Sequence, residues 1–239
     1  MVSAPGSAPG APAVPPCENG PVTDPSPLGR ILEAAAHGTF PAPDGSVTFV
    51  PQPSPRDAGV LAFTAHAVVF ADLDEGDHAA LRPLLPPGDL GAPLNPPFLT
   101  ALAARTGRTV NNIDLLALAG PLPGPPPLEL TETADRSHPR IVRALRHRDD
   151  VRAWTVAGGT VLIGRGVAGR WETAIEVDPA ARGKGLGRRL ARAARHLVPD
   201  GGPLWAQVAP GNAASVRAFF AAGFTPVGAE ALLVVPHGQ

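Results

Sequence analysis

Trp171–Leu190 reads WETAIEVDPAARGKGLGRRL, and its order decides the fold of the C-terminal half. Alternation through Val177 predicts a strand. Asp178-Pro179 turns the chain, and a loop with glycine at positions 183, 185 and 187 opens directly into an amphipathic helix over Gly185–Leu197. Glycines let backbone N–H groups approach an anion without side chains in the way. Those amides lie at a helix N-terminus, where the dipole adds favourable potential for a phosphate. Arg182, Lys184 and Arg188 bring positive charge to the same place. The residues predict a pyrophosphate site on a strand–loop–helix unit.

Other readings of the glycines fit less well. Gly164-Arg165-Gly166-Val167-Ala168-Gly169 spells G-x-G-x-x-G, but it leads into the strand at Trp171 rather than a helix, which fails the dinucleotide-binding context. A nucleotide-binding Gly-Lys-Ser/Thr loop is excluded because no such tripeptide exists. The bland reading, a tight turn followed by a solvated arginine face, stands beside the pyrophosphate reading until the rest of the chain is considered.

Working outward, Leu128–Thr131 predicts a short strand and Pro139–His147 a helix. Val151–Val156 and Thr160–Gly164 predict strands joined by a hairpin at Ala157-Gly158-Gly159. Beyond the central unit come a strand at Leu204–Val208, a helix at Asn212–Ala222 and one or two closing strands within Phe224–Val235. Antiparallel strands followed by strand–helix–strand–helix–strand predict an α/β domain with a mixed, mostly antiparallel sheet flanked by helices.

Upstream, Gly120–Pro127 (GPLPGPPP) holds five prolines in eight residues and forms neither helix nor interior strand. It divides the chain into a Pro/Ala/Gly-rich tail over residues 1–27, expected to be disordered, an N-terminal α/β region over 28–120, a linker over 121–127 and a C-terminal domain over 128–239. Within the N-terminal region the pattern predicts helices at Leu28–Ala36, Asp77–Leu85 and Pro97–Thr106. Strands are expected at Ser46–Val50, Val60–Leu73 (bent near Thr64) and Val110–Ala119.

The chain has 239 residues and a formal charge of −1. That balance gives no reason to expect a nucleic-acid partner. Six cations and no acid lie between Arg182 and His196, so the positive charge is local. Cys17 is the single cysteine, no Cys/His cluster has zinc-ligand spacing, and no metal site is expected. The first residues lack the basic start and apolar core of a signal peptide, and no apolar run spans a bilayer. A soluble, cytoplasmic protein is the expectation.

Arg182-Gly183-Lys184-Gly185-Leu186-Gly187 matches the (Gln/Arg)-x-x-Gly-x-(Gly/Ala) signature of the GNAT superfamily of acyl-CoA N-acyltransferases. About 25 residues on, Asn212-Ala-Ala-Ser215-Val-Arg-Ala-Phe219-Phe-Ala-Ala-Gly223-Phe224 resembles the second signature of that family. The element order from Leu128 to Val235 resembles the family core, so the resemblance covers slightly under half the chain. It implies acetyl-CoA as acyl donor, a small-molecule or peptide amine as acceptor, and direct transfer in a ternary complex. The strand ending at Val177 should splay from Leu204–Val208, with the pantetheine arm between them on backbone groups of Ile175 and Val177. The Val177 amide would polarise the thioester carbonyl. Arg182–Arg188 would hold the pyrophosphate, and Asn212 and Ser215 would border the arm, although Asn212 also suits a plain helix N-cap. Arg192, Arg195 and Arg217 are candidates for the 3′-phosphate, with a solvated helix face the simpler account. Some members contain a degenerate second copy, and strand–helix–loop–helix–strand over Ala67–Ala119 faintly echoes that order.

Transfer needs a base for the substrate ammonium. Ile175 and Val177 alternate with Glu172, Ala174 and Glu176 along the strand, so the two glutamates share a face. Glu176, nearer the loop, is the first base candidate and Glu172 the second; the competing role for both is a structural ion pair with Arg170 or Arg152. Many members of the family carry a tyrosine acid where this chain has Phe219, and this chain contains no tyrosine. A thiol leaves without such help. His138 and His147 read as helix surface, Trp154 and Trp171 as core, and Gln207 as a weak candidate for substrate contact. An acyl-CoA-binding or regulatory protein without turnover is the rival reading.

Overall fold

The computed structural model describes residues 25–236; of the tail over 1–27 expected to be disordered, residues 1–24 lie outside them. Helix α1 (Pro27–Ala36) is followed by β1 (Val47–Val50), β2 (Ala58–Phe63), β3 (His66–Phe70), α2 (Glu75–Leu81), α3 (Pro96–Thr106) and β4 (Thr109–Ala119). Then come β5 (Thr131–Thr133), α4 (Pro139–His147), β6 (Asp149–Val156), β7 (Gly159–Arg165), β8 (Trp171–Val177) and α5 (Leu186–Ala194). The chain closes with β9 (Leu204–Val208), α6 (Ala213–Ala221) and a single long strand, β10 (Thr225–Val234).

Local chemistry sets these limits. Ser26 caps α1 by accepting from the Gly29 amide at 3.0 Å, so Pro27 belongs to the helix rather than to the tail. Asp74 and Asp77 form a reciprocal capping box at the start of α2. Helix α5 ends at Ala194, a turn earlier than periodicity predicts. Arg195 turns away there to donate to the carbonyls of Gly120 at 2.8 Å and Ala222 at 2.8 Å. The Arg195 guanidinium thus ties the end of α5 to two backbone carbonyls from distant segments.

All ten strands form one sheet in the order β1-β3-β2-β10-β4-β9-β8-β7-β6-β5. Only β1/β3 and β8/β9 run parallel. The sheet crosses the composition boundary at Gly120–Pro127. Strand β4, from the N-terminal half, lies between β9 and β10 of the C-terminal half, pairing Leu115–Ala119 with Leu204–Val208 on one side and most of its length with β10 on the other. The proline-rich segment is itself held against α5: Leu122 donates to the Arg195 carbonyl at 3.1 Å, and Nδ1 of His196 lies 2.9 Å from the Gly124 carbonyl.

Residues alternate between the faces. On one face α5 and α6 cover Val161, Ile163, Leu204, Ala206 and Val208, with Ile175 and Val177 at the margin. Helices α2 and α3 cover the continuation of that face, burying Leu81, Phe98 and Leu102 against Val60, Val69 and Ala231. On the opposite face α1 packs Leu28 and Leu32 with Phe70, Leu116 and Trp205, residues of both halves. Helix α4 sets Ile141 and Ala144 on Ala153 and Leu162 beside it. The sheet side of the β6–β7 turn is unusually tight. Gly158 has φ +82°, and a Cβ there would sit 2.7 Å from the Ala181 Cβ.

Candidate active site between the splayed strands

Strands β8 and β9 pair only at Glu172↔Trp205 and Thr173↔Ala206; beyond these residues they separate. On its other side β8 stays paired with β7 along its whole length. The Asp178 amide donates to the Gly158 carbonyl and the Gly166 amide to the Arg170 carbonyl. In an antiparallel ladder, hydrogen-bonded and non-bonded pairs alternate, so the even residues of β8 bond to β7. The backbone groups of Ile175 and Val177 then point the other way, into the gap. Of the two, Ile175 lines the cavity in this gap and Val177, at the outer end of the strand, lies beyond its lining.

A cavity of about 590 Å³ fills this gap. It brings together Glu172, Ile175, Glu176, Gln207, Asn212 and Ser215, with Phe219 behind them. Asn212 caps α6 by accepting from the Ser215 amide at 3.1 Å, and its side chain is exposed at the cleft edge, so capping and cleft-lining coincide. Phe219 is buried and meets Phe224 edge-on at 5.0 Å. Its ring packs where a tyrosine would have needed a partner for its hydroxyl.

The glycine loop does not line the cavity but abuts its wall. A Cβ on Gly187 would lie 3.6 Å from Val177 Cγ2 and 3.8 Å from Ile175 Cδ1. Gly183 and Gly185 both have positive φ, +75° and +76°, with open space around them. Arg182 Nε donates to the Val177 carbonyl at 3.1 Å and Lys184 Nζ to the Ala180 carbonyl at 3.2 Å. The first turn of α5, at Leu186, Gly187 and Arg188, has amides with no intrahelical acceptor. The loop thus presents an exposed row of backbone donors beside the outer end of β8.

The two glutamates diverge. Glu172 is 2 % exposed and fully engaged. Arg148 Nε donates to it at 2.8 Å and Arg170 Nε at 2.9 Å. Gln207 Nε2 adds a third bond at 3.1 Å and the Val167 amide a fourth at 3.3 Å. Burial pushes its carboxyl up, but Arg170 and Arg148 outweigh this and hold it below the ordinary carboxylate range. A Cβ on Gly166 would fall 2.1 Å from the Glu172 carboxyl carbon, so glycine is required there. Glu176 is partly exposed, faces the cavity and has one partner, Arg140 Nε at 3.2 Å. Its ion pair comes from α4, not from Arg152, which instead pairs with Glu132 at 2.9 Å.

Composition and motif hid the rest of this network. Glu230, 1 % exposed in β10, accepts from Gln207 Nε2 at 2.8 Å and from Arg170 Nη2. Burial raises its carboxyl, Arg170 pulls the other way, and the nearby Glu172 charge helps leave it raised. The one available signal was a lone charge inside the apolar run Ala229–Val235. Gln207 lines the cavity, but its side chain is taken up by this network, where it also accepts from Arg148 Nη2 at 3.0 Å. His138 caps α4. His147 lies on the cavity, where burial and then the charges of Arg143 and Arg148 lower its pKa. Among the described residues no helix is long and apolar enough to cross a membrane.

Residues 123–224 match the model of the Acetyltransferase (GNAT) family. Among solved structures, a GCN5-related N-acetyltransferase from Kribbella flavida is 20 % identical, with a TM-score of 0.39 over 60 % of this chain and 65 % of that one. A GCN5-related N-acetyltransferase from Sphaerobacter thermophilus is 14 % identical, with a TM-score of 0.35 over 59 % and 58 %. The match spans under two thirds of either of those chains. No curated protein sequence matches the chain.

Proposed function

We propose, from the match of residues 123–224 to the Acetyltransferase (GNAT) family model, that this protein transfers an acetyl group from acetyl-CoA to an amine by direct attack in a ternary complex. The observation that carries the reading is the cleft itself. Strands β8 and β9 part after two residue pairs, and the exposed amides of the glycine loop stand at the end of one of them.

In this reading the pyrophosphate rests on the amides of Gly183–Arg188, with Arg182, Lys184 and Arg188 around it. The pantetheine arm runs between the strands along the amides of Ile175 and Val177, bordered by Asn212 and Ser215. The Val177 amide donates to the thioester oxygen as negative charge develops there. Glu176 takes the proton from the substrate ammonium, directly or through water. The neutral amine attacks the carbonyl carbon, the C–N bond forms, the C–S bond breaks, and the thiolate leaves to be protonated by water. Glu172 takes no part in proton transfer, because four donors already occupy its carboxylate.

Calorimetric titration with acetyl-CoA tests the donor site, using the unaltered protein beside Gly185→Glu and Arg188→Glu. Arg188 is an exposed side chain with no ion pair among the described residues, so its substitution leaves the fold intact. Binding that both variants weaken at least tenfold supports the reading; equal binding by all three sinks it. A thiol-release assay with an amine panel then separates turnover from the rival reading of a binding protein. The rival is favoured by one observation, the engagement of both glutamates by arginines.

A further inference from the structure

On the face of the sheet opposite the glycine loop, the cavity wall is cationic. Helix α4 presents Arg140, Arg143, Arg146 and His147 to it, and Arg148 and Arg56 join from neighbouring segments. Carboxylates answer three of these arginines. Arg56 pairs with Asp57 at 2.9 Å, Arg140 with Glu176 at 3.2 Å and Arg148 with Glu172 at 2.8 Å. Arg143 and Arg146 are exposed and make no ion pair among the described residues. Other arginines without ion pairs, such as Arg188, Arg189 and Arg192, lie on α5 and do not line this cavity.

The remaining carboxylate of the lining, Asp114, forms no salt bridge with either among the described residues. It accepts from Asn112 Nδ2 at 2.6 Å, and burial raises its pKa while Arg143, close enough to act on it, pulls the other way. Three residues apart on a helix, Arg143 and Arg146 have Cβ atoms about 5–6 Å apart. Two guanidinium forks at that spacing converge on a single carboxylate or phosphate group. Glu176 lies on the same side of the cavity, tied to the same helix through Arg140.

We propose that the acceptor carries an anionic group as well as its amine, and that Arg143 and Arg146 bind the anion while the amine lies at Glu176. This rests on the acetyltransferase reading above. A carboxylate and a phosphate share the required chemistry, and the test separates them.

Protein saturated with CoA is titrated calorimetrically with 4-aminobutanoate, 3-aminopropyl phosphate and n-butylamine. At least one anionic amine should bind tenfold or more tightly than n-butylamine, and the tighter of the two identifies the anion. Arg143→Ala/Arg146→Ala should abolish that preference while acetyl-CoA affinity stays within about twofold, which also shows that the fold is intact. Arg143→Lys/Arg146→Lys should keep part of it, because charge survives and the fork is lost. Equal affinity for the three amines overturns the proposal, as does a preference that survives the alanine pair. So does a tenfold loss of acetyl-CoA affinity in that variant, since the arginines would then serve the donor. Failure of the unaltered protein to bind acetyl-CoA is a different result, which removes the acetyltransferase reading and this one with it.

Discussion

Glu172 and Glu176 stand four residues apart on one face of β8, and strand alternation alone makes them equivalent. Their neighbours do not. Glu172→Gln should destabilise the protein by about 3 kcal/mol or more, because it leaves Arg170 and Arg148 short of a buried counter-charge. Urea unfolding measures this. The Glu172 carboxyl is depressed in the folded state, so its stabilisation is complete above the unfolded value near 4.5 and is lost as pH falls through the folded one. The penalty of Glu172→Gln should therefore be larger at pH 7 than at pH 3. Glu230 has the opposite sign. Its raised carboxyl favours the protonated folded state, so its contribution is present at low pH and is lost as pH rises through the folded value. Relative to the unaltered protein, Glu230→Gln should gain stability between pH 4 and pH 8. Glu176→Gln should leave the unfolding midpoint nearly unchanged and lower kcat for amine acetylation by about a hundredfold, the usual scale of a lost general base. A pH–rate profile that keeps its acidic limb in that variant would move the base elsewhere.

At the scale of elements, the glycine loop and the β6–β7 hairpin show which glycines the fold demands and which it merely accepts. Gly158 has positive φ and faces the Ala181 Cβ, whereas Gly183 has a similar φ with open space around it. Both should lose about 1 kcal/mol on substitution by alanine from backbone strain. Gly158→Ala should lose about 1–3 kcal/mol more from the clash, a difference that paired urea titrations resolve. The strand–loop–helix unit was legible because its signals are local: alternation, an Asp-Pro turn, spaced glycines and an arginine-rich helix. The end of α5 was not, because Arg195 closes it by bonding to Gly120 and Ala222, residues far away in sequence.

For the whole molecule, the position of β4 matters most. Composition marks a boundary at the prolines, yet β4 is an interior strand between β9 and β10. Its Leu116 and Leu118 sit in the same cluster as Trp205 and the α1 leucines. Each such side chain contributes about 1.5–3 kcal/mol by burial. Residues 123–239 produced alone should therefore leave both edges of β10 and one edge of β9 without partners, and aggregate or remain unfolded; a monomeric, cooperatively folding fragment by sedimentation and circular dichroism would refute this. The full chain should unfold in one transition, with tryptophan fluorescence and far-ultraviolet dichroism coinciding although all three tryptophans lie after residue 150.

The amino-acid sequence by itself determined the order of strands and helices, the shared face of the two glutamates, and the loop that opens α5. These depend on period, turn chemistry and glycine spacing, which act over a few residues. Tertiary structure decided the rest. It inserted β4 between β9 and β10, buried Glu172 and Glu230 around Arg170, left Glu176 at the cavity, and gathered arginines of α4 on one wall of that cavity. Pairing between distant strands and the balance of burial against counter-charge depend on which segments meet in space, and no local pattern encodes that.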